Sequence, residues 1–265
     1  CGDNFTMCLS ENGEVYSFGE NNCGQLGLGN TQSMNSPQKI EFLKDVEFIE
    51  CGSEHVFCKT EDNKIFCWGN NRFGQLGLGN TNNVNVPTQC INVPNEIIVD
   101  IKSGMYHGLM LISNGNVFSC GRNIYGELGR ETNENYSASF DRITTLSDIK
   151  RIDCGNIHSM CINSTDDLYI FGGNEFGQLG LDDFIDRGKP IKHPSLSNVI
   201  DISSGGCSTF VKTSNGIYAF GLNEYLQLGV KTNDRCEHGP IQVFQDNEDI
   251  WFSNPRKSKA KSARN

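Results

Sequence analysis

Positive charge, long apolar runs and zinc-type cysteine spacing are scarce or missing in this chain of 265 residues. Lysine and arginine number 22 against 32 acidic residues, and the net charge of −10 argues against a protein that coats nucleic acid. No run of about 18 apolar residues occurs, so the sequence predicts no membrane-spanning helix and no membrane partner. The 12 cysteines include no C-x-x-C pair, which excludes the usual spacing of structural zinc. We therefore expect neither a metal nor a cofactor.

Glycine, by contrast, is abundant. It supplies 29 residues, about 11% of the chain against about 7% in average proteins. The 7 prolines and the lack of a Gly-X-Y period exclude collagen, while the hydrophobic share of 37% suffices for a folded core at this length. The glycine excess therefore needs a structural explanation.

An internal repeat of about fifty residues accounts for much of that excess. Five leucines are each followed by glycine and preceded five residues earlier by asparagine: Leu26, Leu76, Leu128, Leu179 and Leu228. The same register recurs upstream, where a glycine follows Cys or Ser in every copy: Gly2, Gly52, Gly104, Gly155 and Gly205. We therefore divide most of the chain into five copies of one unit.

Each copy predicts short strands joined by tight turns. In the second copy, the apolar segment Val46–Ile49 precedes the strand His55–Thr60, and a polar turn leads on to Ile65–Trp68. Asn-Gly pairs mark the equivalent turn in three other copies: Asn12-Gly13, Asn114-Gly115 and Asn215-Gly216. The strand after the turn is apolar on both faces, so each sheet should pack between two others. No segment has a helical period, and the pattern predicts the blades of an all-β β-propeller.

The motif itself resembles a known repeat. Gly69-Asn70-Asn71-Arg72-Phe73-Gly74-Gln75-Leu76-Gly77-Leu78-Gly79, preceded by Cys51-Gly52-Ser53-Glu54-His55, is similar to the repeat of the regulator-of-chromosome-condensation (RCC) family. Matching stretches are Gly19–Gly29, Gly121–Gly129, Gly172–Gly180 and Gly221–Gly229, the last with Leu226 in place of a glycine. The resemblance implies a β-propeller, usually of seven blades, that serves as a guanine-nucleotide exchange factor or as a protein-binding module. The two tryptophans, Trp68 and Trp251, are too few for the tryptophan-rich ultraviolet photoreceptors built on this propeller.

Five repeats would form five blades of an incomplete seven-bladed ring. The first copy begins at Cys1, without an initiator Met, and lacks the strand that other copies place just before this position. We interpret the chain as a fragment or a processed form. Asp249–Ser253 resembles the missing strand; it could start another blade or close a five-membered ring, and we favour the open arc. We assign residues 1–253 to the propeller and 254–265 to a basic disordered tail.

The loop after the upstream glycine carries the candidate contact residues. Three histidines share one slot in this loop, and the resemblance implies that exchange factors present acidic and histidine side chains there to a GTPase. A histidine that recurs in each repeat is nevertheless typical of a structural role, and Phe5 and Ser208 fill the same slot. The candidates for partner contact are Asp3, Glu54, His55, Tyr106, His107 and His158.

The position before the histidine bears on nucleotide exchange. The resemblance implies an acidic residue there in exchange-competent loops, and only Glu54-His55 keeps that pair. No repeat carries a long insertion that would reach a nucleotide site. We therefore expect a non-enzymatic interaction module that regulates or scaffolds a partner in a small-GTPase or ubiquitin pathway. The alternative is a guanine-nucleotide exchange factor for a Ran-like small GTPase.

Cysteines recur at two positions of the repeat. Ser, Met or Val replaces them in other copies, which indicates small packing slots: Cys1, Cys51 and Cys154 at the first position, and Cys8, Cys58 and Cys161 at the second. Buried free thiols fit a reducing compartment, so we expect a cytoplasmic or nuclear protein.

The segment from Arg256 to Arg264 carries five positive charges and no acidic residue. The rest of the chain, with 17 basic and 32 acidic residues, has a net charge of −15. Such an arm could reach nucleic acid, a nuclear import receptor or the acidic body, and a solvated terminus without function fits equally well. We expect no nucleic-acid binding except through this tail.

Overall fold

The computed structural model describes residues 1–130, 132, 134–230 and 234–244. These residues form five antiparallel sheets, one for each repeat, which confirms the all-β class and the five predicted blades. No helix long and apolar enough to cross a membrane occurs among them. The predicted basic tail and the strand-like segment Asp249–Ser253 lie outside the described residues.

The strands follow one another in chain order within each sheet. The first sheet contains β1 (Phe5–Leu9), β2 (Val15–Gly19) and β3 (Met34–Lys39). The second contains β4 (Val46–Cys51), β5 (His55–Thr60), β6 (Ile65–Gly69) and β7 (Val84–Gln89). The third contains β8 (Ile98–Ser103), β9 (His107–Ile112), β10 (Val117–Arg122) and β11 (Tyr136–Arg142). The fourth contains β12 (Ile149–Cys154), β13 (His158–Asn163), β14 (Leu168–Gly172) and β15 (Arg187–Lys192). The fifth contains β16 (Val199–Ser204), β17 (Ser208–Thr213), β18 (Gly216–Leu222) and β19 (Cys236–Phe244).

In the described part of the chain, the first sheet has three strands where the others have four. This agrees with the expectation that the first copy lacks the strand before Gly2. The missing member is the one that β4, β8, β12 and β16 supply in the other sheets, where it pairs with the second strand of its sheet.

Among the residues that the structure describes, four apolar cores hold the sheets together, one between each sheet and the next. Alternate side chains of one strand enter different cores, because successive side chains of a strand point to opposite faces. In β5, Val56 and Cys58 pack towards the first sheet, whereas Phe57 packs towards the third. This confirms that the inner sheets are covered on both faces.

The five sheets form an arc among the described residues. Strands of successive sheets contact one another, as β1 does with β4 and β12 with β16, but no contact of that extent joins the first and fifth sheets. No apolar core of described residues lies between those two sheets either. The described residues therefore agree with the expected arc.

A repeated glycine explains how neighbouring sheets approach so closely. A Cβ on Gly74 would lie 2.4 Å from the Cα of Ala138, in the outer strand of the next sheet, and a Cβ on Gly126 would lie 2.4 Å from the Cα of Gly188. Only glycine fits these positions, which also have positive φ. The fifth copy has Leu226 at this position, with φ 58° and its side chain half-exposed, and no described sheet follows it.

The outermost strand of each sheet was not predicted. In β3, β7 and β15 the only buried residue is Pro87, so these strands have no apolar face to detect. Four of the five outer strands contain proline: Pro37, Pro87, Pro190 and Pro240. Proline cannot donate to a neighbouring strand, so it is tolerated at a sheet edge and protects that edge from pairing with another chain.

Candidate interaction face

One end of every sheet carries the loops that hold the candidate residues. A short loop precedes the second strand of the sheet, and a longer loop joins the third strand to the fourth. We call this end the candidate face. The two loops are bonded to each other in each sheet: the Asn70 N–H donates to the Glu54 carbonyl at 2.9 Å, and the Arg122 N–H donates to the Tyr106 carbonyl at 2.8 Å. The hairpin turns and the connections between sheets lie at the opposite end.

The short loops of all five sheets meet around one cavity of about 200 Å³. Its lining includes Asp3, Ser53 and Asn156 together with the upstream glycines. Backbone hydrogen bonds join adjacent loops there: the Asp3 N–H donates to the Ser53 carbonyl at 3.1 Å, and the Met105 N–H donates to the Asn156 carbonyl at 3.0 Å. The arc thus places equivalent loop residues side by side.

The repeated asparagine holds the longer loop in shape. Asn71 is fully buried, and its Oδ1 accepts a hydrogen bond from the Leu76 N–H at 3.0 Å. Its Nδ2 donates to the carbonyls of Asn80 and Asn82. Gln75 Oε1 accepts from the Phe73 N–H at 3.0 Å, and the same asparagine and glutamine bonds recur in the fourth and fifth sheets. These amides therefore have the structural role that the turn chemistry predicts.

The three candidate histidines do not lie on the surface. His55, His107 and His158 are fully buried between sheets, at the start of the second strand of each sheet. His107 Nε2 lies 2.9 Å from Ser159 Oγ of the next sheet, and His158 Nε2 lies 2.9 Å from Thr209 Oγ1. Their side chains cannot reach a partner without opening the sheets, so the structure favours the structural role over direct contact.

Burial keeps these imidazoles neutral. Desolvation lowers the pKa of His55 and of His107 to about 3, and that of His158 to about 4. The Ser159 hydroxyl donates its one proton to the Glu127 carbonyl at 2.9 Å. It must therefore accept from His107, whose proton is on Nε2. The Nδ1 atoms of His107 and His158 are buried and make no hydrogen bond in the described structure, so protonation there would leave an uncompensated charge.

His55 lacks the partner that the other two have. Gly108 occupies the position of Ser159 and Thr209 in the next sheet, and it carries no hydroxyl. Both ring nitrogens of His55 are buried without a hydrogen-bond partner in the described structure. This buried polar group is the least satisfied of the three.

Glu54 and Tyr106 occupy equivalent positions on the candidate face, and both are half-buried. Glu54 accepts a hydrogen bond from Asn70 Nδ2 at 2.7 Å, so its carboxylate is held against the longer loop of its own sheet. Asp3 is exposed at the rim of the cavity. These three side chains remain available as contact residues.

Sequence reasoning missed an arginine–aromatic cluster on this face, formed by Arg72, Phe73, Tyr106, Arg122 and Tyr125. The Arg72 guanidinium lies 4.3 Å from the Tyr106 ring centroid and 5.2 Å from that of Phe73. The Arg122 guanidinium lies 5.3 Å from the rings of both Tyr106 and Tyr125. Such distances are within the cation–π range. The signal in the sequence was that these residues fill positions that vary between copies: Arg72, Phe73 and Tyr125 lie between the repeated Asn and Gly, Arg122 precedes that Asn, and Tyr106 precedes the buried histidine.

A charged pair replaces an amide pair in the third sheet. In the second sheet, Gln75 Nε2 donates to Asn70 Oδ1 at 3.3 Å. In the third sheet the same two positions hold Glu127 and Arg122, whose Oε1 and Nε are 2.7 Å apart. The Glu127 side chain is fully buried, and that of Arg122 is 11% exposed. The ion pair fixes Arg122 beside Tyr106.

Comparisons with known proteins agree with this architecture. The sequence model of the RCC1-like domain matches residues 1–255. The ultraviolet-B receptor UVR8 of Arabidopsis thaliana is 32% identical over 94% of this chain and 46% of its own length. The human probable E3 ubiquitin-protein ligase HERC4 is 38% identical over 92% of this chain and 24% of its own. This chain thus spans less than half the length of either relative.

A solved structure has the same fold at low sequence identity. Prp20p from Saccharomyces cerevisiae superposes with a TM-score of 0.77 over 91% of this chain and 63% of Prp20p, at 22% identity. At that identity the similarity concerns the fold alone.

Proposed function

The chain belongs to the RCC1-like domain family, and we propose that it is a non-enzymatic module that binds a partner protein through the candidate face. The match to this family favours an interaction domain over an enzyme.

The observation that carries this proposal is how variation is distributed among the five copies. The residues that shape the longer loop are buried and almost unchanged from copy to copy, as Asn71, Gln75 and Leu76 illustrate. The neighbouring surface position varies among the sheets: Asn22, Arg72, Ile124, Glu175 and Glu224 are all exposed and occupy one position of the repeat. Five copies of one scaffold thus present four different types of side chain on one face. Such a surface suits recognition of one protein partner by several loops.

The pathway of the partner is the finer part of the proposal. Prp20p has been studied for binding to Gsp1p and histones, and HERC4 is described as a probable ubiquitin ligase. We propose a partner in a small-GTPase or ubiquitin pathway, with nucleotide exchange on a Ran-like GTPase as the second candidate. Glu54 supports that alternative, because its carboxylate is on the candidate face beside the loop of Arg72.

We also propose a cytoplasmic or nuclear location. All twelve cysteines are free thiols, and five of them are buried: Cys58, Cys67, Cys90, Cys120 and Cys161. Fluorescence microscopy of the tagged full-length protein tests this, and localisation in a secretory compartment would contradict it.

Photo-crosslinking tests the candidate face directly. A benzoylphenylalanine at Ile124, which is 52% exposed on the face, should form an adduct with a partner protein in cells. The matched control is Ile97, which is 63% exposed at the opposite end of the same sheet. A partner adduct from position 97 and none from position 124 would refute the assignment of this face.

A nucleotide-release assay tests the exchange alternative. Release of labelled GDP from a panel of small GTPases, stimulated by this protein and lost in Glu54→Gln, would establish exchange activity. Glu54 is preferable to His55 as the variant, because a change at the buried His55 would disturb the packing between sheets. Stimulated release would overturn the purely non-enzymatic function.

A further inference from the structure

We propose that Arg72, held against the Tyr106 ring, is a docking point for a carboxylate of the partner: an Asp or Glu side chain in a short segment that also carries an apolar residue. This inference rests on the proposed function and names the chemistry that the candidate face recognises.

The side chain of Arg72 is exposed, but two aromatic rings hold it in place. Its guanidinium lies 4.3 Å from the Tyr106 ring centroid and 5.2 Å from the Phe73 centroid, and those two rings lie 5.3 Å apart. Two aromatic rings therefore limit the rotamers of this arginine before any partner arrives. An arginine that is already ordered loses less conformational entropy on binding, and a planar guanidinium leaves its N–H edge free when its face is stacked.

Arg72 also lacks a counter-ion, unlike its neighbour. Arg122, beside the same ring, pairs with Glu127 at 2.7 Å. Among the residues that the structure describes, no carboxylate lies within ion-pairing distance of Arg72, and its guanidinium makes no hydrogen bond. The nearby carboxylate of Glu54 accepts from Asn70 instead. An exposed, ordered and unpaired guanidinium can donate two parallel hydrogen bonds to one carboxylate.

The surroundings restrict what the partner can be. Glu54, Glu175 and Asp3 lie on the same face, and the protein as a whole has a net charge of −10. A polyanion such as nucleic acid would be repelled, whereas a single carboxylate next to an apolar side chain would not. Ile124, half-exposed on the next loop, provides the apolar contact. The segment that fits is therefore a short peptide with one acidic and one apolar side chain.

A phage-displayed library of random dodecapeptides is the probe. Selection on the whole protein should enrich peptides with an acidic residue close to an apolar residue. Fluorescence polarisation with a selected synthetic peptide should then show binding that is weakened about tenfold or more by Arg72→Gln, since about 1.4 kcal/mol corresponds to tenfold. Arg72→Lys should also weaken it, because lysine lacks the planar fork. Replacing the acidic residue of the peptide by its amide should have the same effect as Arg72→Gln, and the two changes together should not add.

Arg142→Gln is the matched control. This variant also removes one positive charge, but Arg142 lies opposite Phe118 in the strand register, at the other end of the third sheet. The affinity of this variant for the peptide should stay within about twofold of that of the wild type.

Three results would overturn the inference: selected peptides without acidic enrichment, equal affinity for Arg72→Gln and wild type, or a phosphoserine peptide that binds more tightly than its glutamate counterpart. These failures are distinguishable from failure of the proposed function. If Arg72→Gln has no effect while position 124 still crosslinks to a partner, the candidate face stands and the carboxylate site does not.

Discussion

His107 Nε2 lies 2.9 Å from Ser159 Oγ, across the boundary between the third and fourth sheets. The serine hydroxyl donates a hydrogen bond to the backbone carbonyl of Glu127, in the longer loop of the third sheet. The buried imidazole of His107 thereby links β9 to the fourth sheet. Through Ser159 it is also linked to the loop that carries Arg122 and Tyr125. The same chain of bonds joins His158, Thr209 and Gln178 at the next boundary.

Gly108→Ser should stabilise the protein. The serine would give His55 the hydroxyl partner that His107 and His158 already have, and a Cβ at Gly108 meets no atom closer than 3.6 Å. We expect a gain of about 1 kcal/mol from the hydrogen bond, measured as a higher urea midpoint. Gly108→Ala is the control for the loss of glycine flexibility alone. Equal gains from serine and alanine would mean that the hydroxyl does not bond to His55.

Stability should fall as the pH drops below about 6.5. The buried histidines have a pKa of about 3 to 4 in the folded protein but an ordinary value of about 6.5 when unfolded. Below pH 6.5 the unfolded chain therefore takes up protons that the folded chain does not, and each histidine costs about 1.4 kcal/mol per pH unit. The stability is fully present above that pH. Urea unfolding between pH 7 and pH 5 measures the slope.

His55→Phe should reduce that slope, because Phe5 fills the same slot in the first sheet without a titrating group. His238→Gln, at an exposed position, is the control for the removal of a histidine. An unchanged slope in His55→Phe would contradict the assignment of the pH dependence to the buried imidazoles.

Asn71→Ala should be strongly destabilising. The side chain is fully buried and makes hydrogen bonds to Leu76, Asn80 and Asn82, which would lose their partner. We expect a loss of about 2 to 4 kcal/mol, since each unsatisfied buried group costs about 1 to 3 kcal/mol. Asn22→Ala, at an exposed position of the equivalent loop, should change the free energy of unfolding by less than about 0.5 kcal/mol. Similar losses in both variants would refute the structural role of Asn71.

The Arg122–Glu127 pair should be replaceable by the amide pair of the second sheet. Glu127→Gln leaves a mostly buried arginine without its counter-ion, and we expect a loss of about 3 kcal/mol or more. Arg122→Asn should be at least as costly, because Glu127 is fully buried. The double variant places in the third sheet the same amide pair that Asn70 and Gln75 form in the second sheet, and it should recover most of the lost stability. Additive losses in a double-mutant cycle would show that the two side chains are not coupled.

Some features of the fold were predictable because they repeat. Glycines with positive φ, the buried Asn and Leu, and the strand after each turn recur at nearly constant spacing, and repetition distinguishes them from chance. The outer strands were missed because few of their side chains are buried and four of the five contain proline, as β7 does at Pro87. A strand of this kind is held by backbone bonds to its neighbour rather than by an apolar face, so side-chain pattern carries little information about it.

The candidate site was only partly predictable. Glu54 and Tyr106 share one repeat position, so the sequence could place them on one face. The sequence could not show that His55, one residue further on, points into the boundary between sheets. It also could not show that Arg72 of one sheet reaches Tyr106 of the next, because that contact crosses from one repeat to another.

The sequence by itself determined the repeat, the five blades and the short first sheet, since each depends on local spacing and strand pattern within one copy. Only the tertiary structure decided which side chains are free to meet a partner. The register between sheets buries the imidazole of His107 against Ser159 and leaves the guanidinium of Arg72 exposed on a tyrosine ring. Both outcomes depend on what the adjacent repeat places opposite each residue, and spacing along one copy does not contain that information.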